Sequence, residues 1–467
     1  MSIFTRIKRW FETVFKKQAK EDFKITQVNS SGMDDLIAKC ARTYSGNPDW
    51  LNIEDDIMTI NFAKTLCSEV ARLTTLAIHV DIDGSPRADW LQSVIDKTTY
   101  FQLRHWVEYG AAYGTIILKP TGDKVVMVTP ADFIVVDHTN EKITAAVFID
   151  HAEDNGTFYT RLEYHRFEGE VYVVTNRVYS STTKEDIGKV VDIAASPWND
   201  LLPEAFISGL TEPLFAVLRM PEANNVEINS PLALPVFYNS MQELKDLDIA
   251  YSRNATEIFD SARTVIMDAD MLLPGGQAVN TTTSSFERRR EQMKLPRYVK
   301  SVYGNGQDEV YHEINPTLNT DTRIAGINNL LSQIGYKCGF SNGYFVLDEK
   351  TGMVTATQVE ADDRRTIQLI KDVRDKLEKC ITDLLYALNA FADLYGYAPA
   401  GQYEAVFDFG DITYNREEDR ARWWQYVQNN KVPAWYYFVK FEGLSEEDAK
   451  ALVEEATPPE PSLFGEE

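Results

Sequence analysis

The chain is expected to be α+β, mainly helical and elongated, with an antiparallel β meander and a small mixed β module. Three observations lead there. Between Gly114 and Ser180 short period-two runs follow one another, separated by turn signals. Apolar residues recur at helical spacing over two long stretches, residues 234–263 and 358–396. Between those stretches lies a compact excursion, residues 264–316, whose runs TVIMD, YVKSVYG and VYHEI have strand composition.

The chain begins with a basic amphipathic segment. Phe4, Ile7, Phe11, Val14 and Phe15 share one side, with Arg6, Lys8, Arg9, Lys16 and Lys17 around them. A docking helix for a partner protein fits this better than a membrane-surface anchor. It lacks the continuous apolar core of a secretory signal, and no later run reaches the roughly eighteen apolar residues of a span, so no membrane partner is expected. Helices follow, the clearest from Ile60 to Leu73. Ile78–Ile82 reads as a strand, Asp83-Gly84 as a turn, and Leu91–Tyr109 as a helix carrying Val94, Ile95, Phe101, Leu103, Trp106 and Val107. The meander then runs TIILK, VVMVT, DFIVVD, ITAAVFID, TFYTRLEYHRF and EVYVVTNRVY. A looser stretch to Pro231 contains a further strand, PLFAVLRM.

The next helix, from about Leu234 to Arg263, has the seam Phe237, Met241, Leu244, Asp248, Tyr251, Ala255, Ile258 and Ala262. At thirty residues it would be about 45 Å long. Asp248 sits where an apolar residue is expected; it either sets register between helices or faces a wet gap. After the excursion, Asp321 caps a shorter helix through Ile324, Ile327, Leu331 and Ile334. A glycine-rich aromatic loop (GYKCGFSNGYFVLDEKTGMVTAT) leads to the second long helix, where Thr357 and Glu360 form a capping-box pattern. Its seam is Ile370, Val373, Leu377, Ile381, Leu384, Leu388, Phe391 and Tyr395, and Gly396 and Pro399 close it. The strand YEAVFDFGD, two helices (Glu417–Asn429 and Ser445–Ala456), an aromatic linker between them (Trp435, Tyr436, Tyr437, Phe438) and a proline-rich acidic tail complete the chain.

Chemistry is sparse. The chain has 71 carboxylates against 47 Lys and Arg, a net charge of −24. Proteins that grip nucleic acid neutralise phosphates with cations, so a static DNA-binding module is excluded, though not a protein that DNA slides past. Four scattered cysteines and six dispersed histidines support neither disulfides nor a metal site, and no cofactor is expected. Gly339-Phe340-Ser341-Asn342-Gly343 matches a nucleophile elbow, but a helix precedes it and no histidine follows His312. No phosphate loop or dinucleotide fingerprint occurs. One departure from the acidity is the cluster Arg288, Arg289, Arg290, Lys294, Arg297 and Lys300. It is either a solvated face with Glu287 and Glu291 interleaved, or a contact for an acidic partner or passing phosphates.

The order of elements resembles that of tailed-bacteriophage portal proteins of the wing, stem, clip and crown type. The local wording is similar too. SPLALPVFYNSMQELKDLDIAYSRNATEIFDSARTVI resembles the first stem helix, GFSNGYFVLDEKTGMVTATQVEADDRRT the tunnel loop entering its helix, and VFDFGDITYNREEDRARW the strand leading to the crown. The resemblance spans about Asn61 to Val453. It implies a wing at 1–230, stem helices at 231–263 and 317–337, and a clip at 264–316. It further implies a tunnel loop at 338–357, a tunnel helix at 358–396, a wing strand at 397–412, crown helices at 413–456 and an acidic tail at 457–467.

Phe340, Ser341, Asn342, Tyr344 and Lys350 would then belong to a DNA-channel loop. The basic cluster would be the clip's partner contact, and Phe237, Met241, Leu244, Asp248 and Tyr251 the stem seam. The family implies a non-enzymatic ring of twelve copies at a capsid vertex of the virion, assembled in the host cytoplasm. Its partners would be the terminase large subunit, a head-tail adaptor, major capsid and scaffolding proteins, and double-stranded DNA passing non-specifically. Two other readings remain: a structural capsid or head-morphogenesis protein without a DNA channel, and an acidic cytosolic enzyme without a recognisable motif.

Overall fold

The computed structural model describes residues 14–28, 30–51, 57–139, 142–184, 186–260, 264–268, 298–302, 311–314, 320–347, 356–410, 416–429, 431–442 and 445–456. They fall into two compact units, Met1–Asp408 and Phe409–Glu467. Both helices and antiparallel sheets are present, so the fold is α+β as expected.

Residues 14–23 are helical (α1). The apolar side of α1 does not wait for a partner protein. Phe15 and Ala19 pack with Ile134, Val147, Ile149, Leu162, Tyr179 and Ile187, the Lys16 ammonium donates to the Pro130 carbonyl at 3.0 Å, and Tyr179 hydrogen-bonds Asp22. This part of the amphipathic segment belongs to the chain's own core, a correction that periodicity could not have supplied. Residues 1–13 lie outside the described ones.

Helices α2 (Ser31–Tyr44) and α3 (Phe62–Thr74) come next. Ser30 caps α2 by accepting from the Met33 amide at 3.3 Å. Strand β1 (His79–Asp83) leads to α4 (Pro86–Val94), a π turn (Ile95–Thr99) and α5 (Tyr100–Tyr113). The single helix expected over Leu91–Tyr109 is thus interrupted. A π turn holds an extra residue and so rotates the helix beyond it. Phe101, expected on the seam, is 77% exposed, whereas Leu103, Trp106 and Val107 stay buried.

The strands are β2 (Thr115–Thr121), β3 (Lys124–Val128), β4 (Phe133–His138), β5 (Ile143–Asp154), β6 (Thr157–Glu168), β7 (Val171–Ser181), β8 (Lys189–Val191), β9 (Glu204–Ser208) and β10 (Ala216–Arg219). They form two sheets, not one meander: β10-β2-β3, and β4-β5-β6-β7-β8 with β9 also on β7. The break falls at residues 129–132, where Thr129 and Asp132 bond each other instead of continuing a ladder. Buried β2 takes its second neighbour from β10, about a hundred residues away, with Leu118 opposite Ala216. The pairing signals in a sequence are local, and this partner is not.

The stretch Pro231–Phe237, read as the start of a helix, is instead a buried strap. Its amides are taken by tertiary partners: Ala233 N donates to Thr115 Oγ1 at 2.9 Å and Val236 N to the Ala111 carbonyl at 3.0 Å. The strap crosses the end of α5 so closely that a Cβ on Gly114 would lie 2.2 Å from the Ala233 oxygen; Gly114 also has φ +79°. A 3-10 turn (Tyr238–Ser240) then starts α6 (Met241–Asp260).

Beyond α6, strands β11 (Thr264–Asp268), β12 (Tyr298–Val302) and β13 (Tyr311–Ile314) make a small sheet of order β12-β11-β13. Strand β11 is parallel to β12 and antiparallel to β13, the mixed module expected for residues 264–316. Helix α7 (Thr320–Lys337) returns, and α8 (Ala356–Tyr395) runs 40 residues. The capping-box side chains of Thr357 and Glu360 lie outside the described ones. From Ile370 to Leu388 every predicted seam residue of α8 is at most 1% exposed, each contributing about 1.5–3 kcal/mol by burial. The seam ends there, since Tyr395 is 56% exposed. Strand β14 (Glu404–Asp408) pairs antiparallel with β1, so the chain returns to its N-terminal part.

The second unit contains α9 (Arg416–Gln428), α10 (Ala434–Glu442) and α11 (Glu446–Ala456). The aromatic linker is therefore itself a helix. Tyr437 and Phe441 fall on its inner side and are buried, as is Ala449 of α11. Tyr436 stacks on Trp423, which also carries the Lys440 ammonium 4.2 Å from its ring centre.

Candidate functional site: the helix pair and the foot of its loop

Helices α6 and α7 run antiparallel. The Lys337 ammonium near the end of α7 donates to the Asn239 carbonyl and pairs with Glu243 at the start of α6. Ser240 Oγ lies 3.5 Å from Cys338 Sγ. The small mixed sheet consequently hangs from the far end of the pair. The residues of the expected stem seam differ in burial. Phe237 and Leu244 are buried and Met241 half-buried, but Tyr251 is 45% exposed and Ser252 takes the inward place beside Leu247 and Asp248.

Asp248 neither fixes register between α6 and α7 nor faces a wet gap. Its carboxylate accepts from Trp50 Nε1 at 2.9 Å and from the Ile60 amide at 3.1 Å. Ser252 Oγ accepts from the Met58 amide at 3.0 Å. The two side chains thus clamp Trp50, Met58 and Ile60 onto α6. Burial pushes the Asp248 carboxyl above its ordinary value, against the hydrogen bonds from Trp50, Ile60 and Thr59 that pull it down. Asp248→Ala leaves an indole and an amide without their acceptor, so unfolding in urea should show a loss of about 2–4 kcal/mol. Asp248→Asn should lose about half as much, because it still accepts; equal losses would show that packing, not acceptance, is the contribution.

The loop after α7 is sewn down before it leaves the body. Gly339 turns the chain with φ +89°, and the Phe340 amide closes on the Gly335 carbonyl at 2.9 Å. Phe340, Tyr344 and Phe345 form a mutual cluster with ring centres 4.9–5.1 Å apart, and Phe62 of α3 joins at 5.1 Å. Ser341 and Thr366 exchange hydrogen bonds between the loop and α8: the Ser341 amide donates to Thr366 Oγ1 at 2.9 Å, and Thr366 Oγ1 donates to Ser341 Oγ at 3.0 Å. Tyr344 donates to Glu69. Arg72 hydrogen-bonds Glu69 and so holds that carboxyl below its ordinary value, with Tyr344 adding to the effect. Burial and the Glu69 partner push the Tyr344 phenol up.

Phe340 and Ser341 are thus the foot of the loop, 0% and 3% exposed. Asn342 is exposed and Tyr344 half-buried. Lys350, with Arg288, Arg289, Arg290, Lys294 and Arg297, lies outside the described residues, and Lys300 is described only as backbone of β12. The buried Ser341 hydroxyl, tied to Thr366, is not the exposed serine of a nucleophile elbow.

Sequence reading missed two buried arginines that lock α8 to the body. Arg374 of α8 donates to the carbonyls of Leu73, Thr74 and Leu76 at the end of α3. Arg87 of α4 donates to the carbonyls of Asn389, Ala398 and Pro399 and to the side chains of Asn389 and Asp393, at 2.6–3.0 Å. Arg374 gathers carbonyls at the end of α3, and Arg87 ties the last turns of α8 to the residues just beyond it. A third feature had a visible signal, a lysine inside the apolar run TIILKPT: Lys119 is buried with Asp150, Arg161 and Glu163. All four cysteines are buried and unpaired, and burial pushes the Cys40 and Cys338 thiols up to about 12. Among the described residues no group of His, Cys, Asp and Glu is placed to hold a metal ion, and no helix is long and apolar enough to cross a membrane.

No family model and no curated protein matches this chain. Solved structures similar to it include the following two. One is a chain of the virion of a native gene transfer agent (GTA) particle, at 13% identity and a TM-score of 0.38, with 90% of this chain and 95% of that chain covered. The other is a chain of the neck of a native GTA particle computed with C12 symmetry, at 13% identity and a TM-score of 0.36, with 93% and 96% covered. TM-scores this low do not establish a shared fold.

Proposed function

We propose that this chain is the portal subunit of a phage-like particle, a non-enzymatic structural protein that assembles as a ring of twelve around a channel for double-stranded DNA. One observation carries the reading. An antiparallel helix pair, α6 and α7, carries a small mixed sheet away from an α/β body. The chain then re-enters that body through a sewn-down loop foot and a 40-residue helix, and closes it with β14 on β1. This is the order expected of stem, clip, stem, tunnel loop, tunnel helix and wing strand. Ordinary enzymes have little use for two helices spent on carrying a three-stranded module. In this role the small sheet is the docking face for the terminase large subunit and later for a head-tail adaptor. The body contacts capsid and scaffolding proteins at a virion vertex. A net charge of −24 suits a surface that passing DNA must not stick to.

Native mass measurement with negative-stain imaging of the purified chain tests this. Closed rings with a hole wide enough for a duplex, about 20 Å or more, are the expected outcome. A monodisperse monomer at high concentration would overturn it, and closed rings without such a hole would favour a structural head protein that encloses no DNA.

A further inference from the structure

If copies of this chain assemble, as the portal reading requires, each must approach a neighbour of the same sign. At −24 per copy the mean field opposes contact, so the interface must be locally complementary. The structure holds one place suited to this. A cavity of about 440 Å³ lies between the end of β10, the residues after it and the outer side of α8. Its walls include Phe215, Val217, Met220 and three prolines. Its acids are partly spent within the chain: Lys142 pairs with Glu212 at 2.9 Å and Asp383 at 3.4 Å. The remaining cations, Arg219, Lys376 and Lys379, make no hydrogen bond or close ion pair with any described residue. Arg219 is half-buried, and burial pulls its proton affinity down with no counter-charge to offset it.

The complementary feature is on the same unit. Strands β1 and β14 form a two-stranded ribbon whose outward face carries His79, Asp81 and Asp83 beside Glu404, Val406 and Asp408. Asp83 stands directly opposite Glu404, a like-charge pairing that weakens a ribbon unless a cation is supplied. Val406, opposite Asp81, is 58% exposed at the centre of that face. An apolar centre ringed by carboxylates matches an apolar cavity lipped by cations.

We propose that the cavity bearing Arg219, Lys376 and Lys379 receives the acidic β1–β14 ribbon of a second copy of this chain. The contact joins two different surfaces, so it repeats from copy to copy rather than stopping at a pair, and gives a ring where its rotation closes. The inference rests on the portal reading for its need of a ring, and it names the surfaces.

Charge reversal tests it. The cavity variant R219E/K376E/K379E and the ribbon variant D81K/D83K/E404K should each raise the concentration needed for rings by more than about tenfold, read by native mass. An equimolar mixture should restore rings, because each variant's altered surface then meets the other's. Restoration also shows that both variants are folded. Rings of either variant alone at the wild-type concentration would overturn the proposal while leaving the portal reading intact, as would two variants with wild-type circular dichroism whose mixture stays apart. A wild-type chain that never forms rings would sink both.

Discussion

Glu163→Gln should destabilise the subunit by about 3–5 kcal/mol at neutral pH, because it leaves two buried cations sharing Asp150 as their remaining paired carboxylate. Lys119 is 3% and Arg161 5% exposed, and both pair with Glu163 and Asp150. His165 Nε2 lies 3.0 Å from Glu163 and its Nδ1 2.9 Å from the Tyr172 hydroxyl. That hydroxyl already accepts from the Leu214 amide at 3.0 Å, so its proton points to Nδ1, and the imidazole is neutral with its hydrogen on Nε2. Burial would raise the Glu163 carboxyl, but Lys119, Arg161 and His165 outweigh it and hold it well below 4.5. Burial lowers His165 below 6.5 despite the Glu163 partner. Both groups bind protons more readily unfolded than folded, so both make stability fall as pH falls. The His165 contribution fades below about 6.5 and the Glu163 contribution below about 4.5. Urea midpoints between pH 7 and pH 4 should drop in the wild type and drop less steeply in Glu163→Gln. A variant as stable as wild type at pH 7, with parallel pH curves, would show that the ion cluster contributes nothing beyond its packing.

Arg87→Met should cost about 3–5 kcal/mol and loosen the C-terminal end of α8. The side chain is 1% exposed and supplies five hydrogen bonds to residues 389–399. Methionine fills much of the volume but donates nothing, so three carbonyls lose their partner. The change is confined to one end of α8, where α4, the helix end and the turn into β14 meet. Amide exchange should therefore accelerate for residues 388–400 while the middle of α8, around Leu377, stays protected until global unfolding. Uniform acceleration along α8 would mean that Arg87 acts on the whole fold and not as a cap.

Much of this fold was legible because its signals are periodic and local. The α8 seam from Ile370 to Leu388, the strands from β2 to β7 and the three strands of the small module follow from spacing, and the α+β class follows from them. The candidate site was legible only in outline. The aromatic glycine-rich loop could be located, yet nothing local says that Phe340 is a buried foot packed on Tyr344 and Phe345, or that Tyr251 turns outward while Ser252 turns in.

The sequence by itself determined most of the stretches that become helix or strand, because hydrophobic spacing and turn residues act within a few residues of one another. Tertiary structure alone decided what those elements meet. It gave β2 its distant neighbour β10, folded α1 back onto the sheet, and held Pro231–Phe237 as a buried strap across Gly114. It also closed Asp248 on Trp50 and Ile60, and Arg87 on the end of α8. The reason is that a buried polar group must find its partner wherever the chain passes, and neither composition nor period records which distant carbonyl, carboxylate or indole that will be.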